Sequence, residues 1–160
     1  MMETCNEQLV AILKQKKYHI STAESCTAGM VAASIVDIPG ASEVFEEGYV
    51  TYSNRVKEKL LGVSKETIEA YTVVSAQVAE QMAQGAHQKS GAEVAVSVTG
   101  YAGPDNAEDG TKAGTVYIGT YFQGKAEAKK YLFAGSRKEV RRQAANEAIR
   151  FALERITKGE

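Results

Sequence analysis

The segment TAESCTAG, residues 22–29, places two side chains that could act as nucleophiles next to each other, Ser25 and Cys26. It follows YHIST, a run typical of a strand, and the apolar helix predicted after it begins near Ser25. Unpaired backbone N–H groups at a helix start can stabilise an oxyanion, so a hydroxyl or thiol there could attack a carbonyl. An ordinary role is also open, with Thr22 or Ser25 capping the helix and Cys26 packed as a small apolar side chain.

A serine nucleophile needs a group that accepts its proton. The two histidines are poorly placed, since His19 lies toward the far end of the first strand and His87 lies late in a long helix. A lysine can serve if burial or nearby positive charge lowers its pKa toward neutrality. Lys57 follows the polar cluster TYSN, residues 51–54, and has the most suggestive setting. Without further information a solvated helix position is the simpler interpretation of Lys57.

Two features could bind an anion. The glycine-rich segment GYAGPDNAEDGTKAG, residues 100–114, offers backbone N–H groups that can approach a phosphate, an amide oxygen or an oxyanion closely. It matches neither the P-loop pattern nor G-x-G-x-x-G. Arg137 and Arg141 are spaced i, i+4 near the start of the last helix, where anion binding is favoured. A surface loop and ordinary surface charge are the alternatives.

Alternating helices and strands must position these residues. The periodicity predicts an α/β fold with three α/β/α layers around a mixed, mostly parallel sheet that includes a late antiparallel hairpin. Ligands in such sheets bind beyond the carboxyl ends of the strands, and both odd loops follow strands directly. The predicted elements are helices at 4–17, 25–36, 56–63, 64–71, from 75 and from a capping box at 136–139, with strands at 18–22, 43–53, 92–100, 115–122 and 126–133.

Composition limits the classes of function. With 160 residues, 44% of them hydrophobic, the chain is expected to form a single domain over residues 1–160. The 19 basic and 20 acidic residues nearly cancel, so no overall field draws in nucleic acid or an anionic membrane. No segment approaches the roughly 18 apolar residues of a spanning helix, and the N-terminus lacks a signal-peptide pattern, so a cytoplasmic location is expected. Two cysteines and two histidines show no metal-ligand spacing, and neither a metal, a cofactor nor a disulfide is expected.

Five blocks in order resemble the CinA C-terminal domain family, and the resemblance covers roughly residues 5–157. The blocks are TAESCTAG, GYVTYSNRVKEKLLGV, VSVTGYAGPD, GTVYIG and FAGSRKEVRRQA. Stand-alone members of this family are nicotinamide-nucleotide amidases, and longer members carry an additional N-terminal domain. The resemblance therefore implies hydrolysis of the carboxamide of nicotinamide mononucleotide to nicotinic acid mononucleotide and ammonia, a step of pyridine nucleotide salvage and NAD metabolism.

The resemblance also implies roles for individual residues, in a Ser/Lys type of amidohydrolase that uses no metal. Ser25 falls on the family's serine, Lys57 on its lysine, and Tyr52 on the tyrosine that accompanies them. Tyr52 could relay a proton or hold Lys57 in place. For the substrate phosphate, charge and spacing favour Arg141 first and Arg137 second. The substrate-binding residues expected in total are Cys26, Thr27, Thr99, Gly100, Arg137 and Arg141.

Two other functions stay open. A thiol amidase would use Cys26 as nucleophile, with Glu24 or a lysine as its base. A non-catalytic nucleotide-binding or competence-associated domain would keep the family pocket without turnover. Net charge near zero argues against direct DNA binding. The resemblance implies a small molecule, nicotinamide mononucleotide, as the partner. Apolar faces on exposed helices are also compatible with a homodimer.

Overall fold

The computed structural model describes residues 2–159, which fold into six α-helices and five strands. The helices are α1 (Cys5–Lys16), α2 (Met30–Val36), α3 (Asn54–Leu61), α4 (Lys65–Tyr71), α5 (Ala76–Ser90) and α6 (Arg137–Lys158). The strands are β1 (Ile20–Glu24), β2 (Phe45–Val50), β3 (Val94–Gly100), β4 (Thr115–Phe122) and β5 (Lys125–Leu132). A short 3₁₀ turn, Ala41–Glu43, precedes β2. Within residues 2–159, none of the helices has the length and apolar character needed to cross a membrane.

The strands form one sheet in the order β2-β1-β3-β4-β5. Strand β1 runs parallel to both of its neighbours, β2 and β3, and β4 runs antiparallel to β3 and β5. Strand β5 therefore points the same way as the first three, and β4 alone is reversed. This arrangement confirms the predicted mixed sheet with an antiparallel hairpin at its end.

Helices cover both faces of the sheet, which confirms the predicted three layers. Side chains alternate between the two faces along a strand. Val94, Val96 and Val98 of β3 pack into a core shared with α1, α2 and α6. Ala95, between them, packs into a second core formed mainly with α3 and α5. Strand β3 is consequently buried along nearly its whole length, as its continuous apolar sequence predicts.

The start of α2 differs from the prediction. The helix begins at Met30, and residues 25–29 form a turn between β1 and α2. Neither Thr22 nor Ser25 caps the helix. Instead, the buried carboxylate of Glu24 accepts hydrogen bonds from the first helical turn. The acidic side chain does what the predicted cap would have done, so the helix can begin five residues later than its apolar pattern suggests.

Two loops meet at one edge of the sheet. Strands β1 and β3 are parallel neighbours, with Glu24 paired to Val98 in register, so both strands end on the same side. The turn 25–29 follows β1 and the glycine-rich loop follows β3. As predicted, both loops lie beyond the carboxyl ends of their strands.

Candidate active site

A cavity of about 310 Å³ lies where these two loops meet, a size suited to a small molecule. Apolar side chains of its lining come from the α4–α5 connection and from the loop after β3. The polar and charged side chains of the lining include Ser25, Tyr52, Lys57, Thr99, Asp105 and Arg137. Within residues 2–159, no group of three or more potential metal ligands is found.

Ser25 and Lys57 meet at the bottom of this cavity. The Lys57 Nζ lies 3.2 Å from the Ser25 Oγ, although 32 positions separate the two residues in the chain. Ser53 begins α3 by accepting a hydrogen bond from the Val56 N–H, and Lys57 follows one turn later on the buried face of the helix. The Lys57 side chain is 1% exposed and Ser25 is 8% exposed. The arrangement brings a hydroxyl and an amine together away from bulk water.

Burial lowers the pKa of Lys57 from 10.5 to about 8. Desolvation is the cause, because the charged ammonium loses its hydration while the neutral amine does not. A thiolate at Cys26 would act in the opposite sense. Burial, however, raises the pKa of that thiol to about 11, so Cys26 is neutral at physiological pH. A useful fraction of Lys57 is therefore the neutral amine, which can accept the Ser25 proton.

The geometry argues against Cys26 as the nucleophile. The thiol is 5% exposed, and a raised pKa keeps it protonated and weakly reactive. Glu24, considered as its base, directs its carboxylate oxygens at the N–H groups of Val31 and Ala32, at 2.8 and 3.0 Å. Those contacts leave the carboxylate engaged with the backbone of α2. Cys26 nevertheless lines the cavity, where its sequence position predicted it.

The two arginines have different surroundings. Arg137 lines the cavity, where its Nη1 donates to the Gly103 carbonyl at 2.7 Å and its Nη2 to the Tyr52 hydroxyl at 3.0 Å. Arg141 donates from Nε to the Cys26 carbonyl at 2.8 Å. Arg141 is not one of the described residues that line the cavity. Sequence reasoning ranked Arg141 ahead of Arg137 for the phosphate, and of the two it is Arg137 that lines the cavity. Which of them binds a phosphate stays a prediction.

Tyr52 lies at the cavity mouth and is 60% exposed. Within the described part of the chain, its hydroxyl bonds to Arg137 and makes no hydrogen bond to Ser25 or Lys57. The two roles expected for Tyr52, proton relay and support of Lys57, stay predictions. The observed contact adds a third role, which is to orient the Arg137 guanidinium.

Of the other residues expected in the pocket, two line the cavity and one does not. Thr99 and Gly100 line the cavity, and the Thr99 hydroxyl donates to the Val73 carbonyl at 3.0 Å, which ties the end of β3 to the α4–α5 connection. Thr27 is fully buried and is not among the described lining residues. The substrate contact expected for Thr27 stays a prediction.

Some backbone N–H groups near Ser25 are already hydrogen-bonded within the fold and others could stabilise an oxyanion. The Ser25 N–H donates to the Val98 carbonyl at 3.0 Å, and the Tyr101 N–H donates to the Thr115 carbonyl at 2.9 Å. Both groups are already used by the sheet edge. The Cys26 N–H, next to the nucleophile, is the remaining candidate closest to it in the chain.

Sequence reasoning missed several lining residues. Asn54 and Asp105 lie inside segments that it had singled out, directly after TYS and after G-P, so their position in the chain could have suggested them. Val73 and Val74 gave no such signal, because their place in the lining depends on how α4 and α5 pack.

Comparison with known proteins places the chain among similar sequences and structures. The CinA C-terminal domain model matches residues 2–156. Nicotinamide-nucleotide amidohydrolase PncC of Enterobacter agglomerans is 45% identical over 152 residues, which cover 94% of this chain and 93% of that protein. A CinA-like protein of Kosmotoga olearia is 42% identical over 149 residues, covering 93% of this chain and 36% of that protein. The chain thus spans about a third of the length of several curated relatives that it matches.

Solved structures agree with this placement. The competence-damaged protein (CinA) superfamily protein of Klebsiella pneumoniae 700603 has a TM-score of 0.91 at 31% identity, covering 98% of this chain and 99% of that one. The superfamily protein of Escherichia coli has a TM-score of 0.85 at 34% identity, covering 98% and 91%. These similarities extend over the whole sheet and both helical layers.

Proposed function

The chain belongs to the CinA C-terminal domain family, and from that premise we propose that it hydrolyses the carboxamide of nicotinamide mononucleotide to nicotinic acid mononucleotide and ammonia. The resemblance read from five sequence blocks is confirmed. A relative that this chain matches over nearly the full length of both proteins is named as a nicotinamide-nucleotide amidohydrolase, which supports an amidohydrolase here. The homodimer and the cytoplasmic location expected from sequence stay predictions.

The contact between Lys57 and Ser25 is the observation on which the proposed mechanism depends. Neutral Lys57 takes the Ser25 hydroxyl proton as Oγ attacks the carboxamide carbon. The Cys26 N–H supports the oxyanion of the tetrahedral intermediate. The Lys57 ammonium then returns the proton to the leaving nitrogen, ammonia departs, and Ser25 holds the acyl group as an ester.

Deacylation repeats the same steps with water. Lys57 is again neutral after ammonia has left, so it can take a proton from a water molecule that attacks the ester carbon. The tetrahedral intermediate collapses, the Ser25 oxygen recovers the proton from Lys57, and the product carboxylic acid leaves. One amine thus acts as base and acid in both halves of the reaction.

Substrate binding follows from the charges of the lining. The Arg137 guanidinium is the group suited to the phosphate, because it reaches the cavity and its present acceptors are neutral oxygens of Gly103 and Tyr52. A phosphate dianion is a stronger acceptor and can replace one of them. Asp105, also in the lining, suits the ribose hydroxyls, which donate hydrogen bonds to carboxylates. The two groups give the cavity a polarity that matches a mononucleotide.

Ammonia release from nicotinamide mononucleotide tests this proposal. We expect turnover by the wild type and by Cys26→Ala, and a loss of at least about 10³-fold in Ser25→Ala and Lys57→Ala. Lys59→Ala is the matched control, since Lys59 is an exposed lysine on the same helix. Folding of each variant is checked by its melting temperature.

Each alternative has its own outcome in the same experiment. Loss of activity in Cys26→Ala alone would identify the thiol amidase. A folded wild type that releases no ammonia would contradict the proposal and leave a binding domain. In that case, titration with nicotinamide mononucleotide and with duplex DNA at physiological salt separates a nucleotide site from a DNA site.

A further inference from the structure

The turn that carries Ser25 has an uncommon backbone. Ala28 and Gly29 both adopt left-handed conformations, with φ of 46° and 102°. A residue with a side chain adopts such a conformation only at a cost in free energy, so contacts outside the turn must hold Ala28 in it. Two charged side chains, Glu24 and Arg141, make contacts of this kind, one at each end of the turn.

Glu24 holds the end that leads into α2. Its side chain is 1% exposed, and its carboxylate accepts the Val31 N–H at 2.8 Å and the Ala32 N–H at 3.0 Å. The Glu24 backbone belongs to β1, immediately before Ser25. One residue therefore joins the strand before the turn to the helix after it, and a carboxylate is the strongest acceptor available for backbone N–H groups.

Arg141 holds the end that leaves β1. From α6 its Nε reaches the Cys26 carbonyl at 2.8 Å, and its Nη2 reaches the Thr27 carbonyl at 3.4 Å. These are the two carbonyls directly after the nucleophile. The guanidinium fixes the peptide groups next to Ser25 to a helix that lies across the sheet from α3, where Lys57 sits.

We propose that Glu24 and Arg141 are positioning residues that hold the Ser25 Oγ against the Lys57 Nζ, and that neither touches the substrate. This inference rests on the proposed function and deepens it. Ser25 and Lys57 belong to different segments and share one hydrogen bond of 3.2 Å. A displacement of the order of 1 Å can slow a reaction about 10²-fold. The contacts of Glu24 and Arg141 with the turn therefore control how well Ser25 is aligned with Lys57.

Labelling of Ser25 by an alkyl fluorophosphonate isolates this role. The Ser25 Oγ forms a bond to phosphorus, the P–F bond breaks and fluoride leaves, while Lys57 takes the hydroxyl proton. This reaction needs neither the substrate phosphate nor hydrolysis of an amide. The rate is measured by mass spectrometry of the intact protein, with Ser25→Ala to show that labelling is at Ser25.

We expect Glu24→Gln and Arg141→Met to label at least about tenfold more slowly than the wild type. The matched control is Arg142→Met, which removes an exposed arginine adjacent to Arg141 and should label at the wild-type rate. Arg141→Lys retains one donor and should label at an intermediate rate. It also keeps the test decisive if Glu24→Gln does not fold.

Kinetics with nicotinamide mononucleotide separate positioning from binding. Arg141→Met should lower kcat with less than a twofold change in KM. The midpoint of its pH–activity profile should equal that of the wild type. Three outcomes would overturn the inference. The first is labelling at the wild-type rate in both Glu24→Gln and Arg141→Met, and the second is a raised KM with unchanged labelling in Arg141→Met. The third is a wild type that is not labelled. A wild type that is labelled but releases no ammonia contradicts the proposed function alone.

Discussion

The cavity has a buried floor, formed by Ser25 and Lys57, and an exposed rim, formed by Tyr52 and Arg137. The polar side chains of the two regions have opposite surroundings. On the floor, Lys57 is 1% exposed and has a lowered pKa of about 8. On the rim, Tyr52 is 60% exposed and shares a hydrogen bond with Arg137. In the proposed mechanism a proton moves between Lys57 and Ser25 on the floor, which is shielded from water, and the ligand displaces existing contacts at the exposed rim. The proposal thus assigns reactivity to the floor and recognition to the rim.

Replacing Lys57 should give the largest difference between the two regions. Lys57→Met keeps most of the side-chain volume but removes the base, so we expect kcat/KM to fall at least about 10³-fold, as for Lys57→Ala. The same variant should be more stable. The pKa of Lys57 is 10.5 in its ordinary state and about 8 in the folded chain, so the unfolded chain binds the proton more tightly.

The sign of this stability change depends on pH. Below about pH 8 the native protein carries the full cost of a buried charge, and the cost fades as pH rises toward 10.5. At pH 7 the gain in free energy of unfolding for Lys57→Met is at most about 3 kcal/mol. Chemical denaturation at pH 7 and at pH 10 measures it. A destabilised Lys57→Met at pH 7 would contradict the description of the floor as a dry, functionally costly site.

Replacing Arg137 tests the rim. Arg137→Met removes the charged donor to a phosphate, and such hydrogen bonds contribute about 1.5–3 kcal/mol. We expect KM for nicotinamide mononucleotide to rise about 10- to 100-fold with a smaller change in kcat. Nicotinamide riboside, which has no phosphate, is the control substrate, and its kcat/KM should change little. An equal loss for both substrates would place Arg137 in the chemistry of the floor.

The pH profile tests the floor without a substitution. Activity requires neutral Lys57, so kcat/KM should rise with pH and level off above the lowered pKa of about 8. Between pH 6.5 and 9 the increase expected for one such group is about 30-fold. A profile that is flat over this range, or that levels off near pH 6.5, would point to a different base. Stopped ammonia assays in buffers of constant ionic strength give the curve.

Local patterns carried more information about the floor than about the rim. A strand end followed by a helix made Ser25 a candidate nucleophile, whereas the pattern around Lys57 alone favoured a solvated position, and only the family resemblance paired the two residues. Their contact depends on parallel neighbours in the sheet, which the α/β alternation also predicts. The layers and the hairpin followed from periodicity for the same reason.

The rim depends on geometry that no local pattern carries. Arg137 and Arg141 differ by one helical turn, and only the rotation of α6 on the sheet decides which of them faces the cavity. The start of α2 was misplaced because residues 26–36 are apolar enough to extend the helix. Glu24 prevents this extension, because its carboxylate accepts hydrogen bonds from backbone N–H groups seven and eight positions later in the chain. An acidic residue at the end of a strand, just before an apolar helix, was the available signal.

The smallest predicted effect concerns the backbone that joins floor to sheet. Gly29 has φ of 102°, so Gly29→Ala should cost about 1 kcal/mol of stability and lower the melting temperature by a few degrees. Gly91→Ala is the matched control, since Gly91 is also left-handed, with φ of 76°, and ends α5 away from the cavity. Both variants should lose similar stability, measured by thermal unfolding. Because the Ser25 turn must keep its shape to hold the nucleophile, Gly29→Ala should also lose several-fold in kcat, whereas Gly91→Ala should not. Equal kcat values would mean that the floor tolerates a shift in its turn, and that burial matters more than backbone geometry for the reactivity of Ser25.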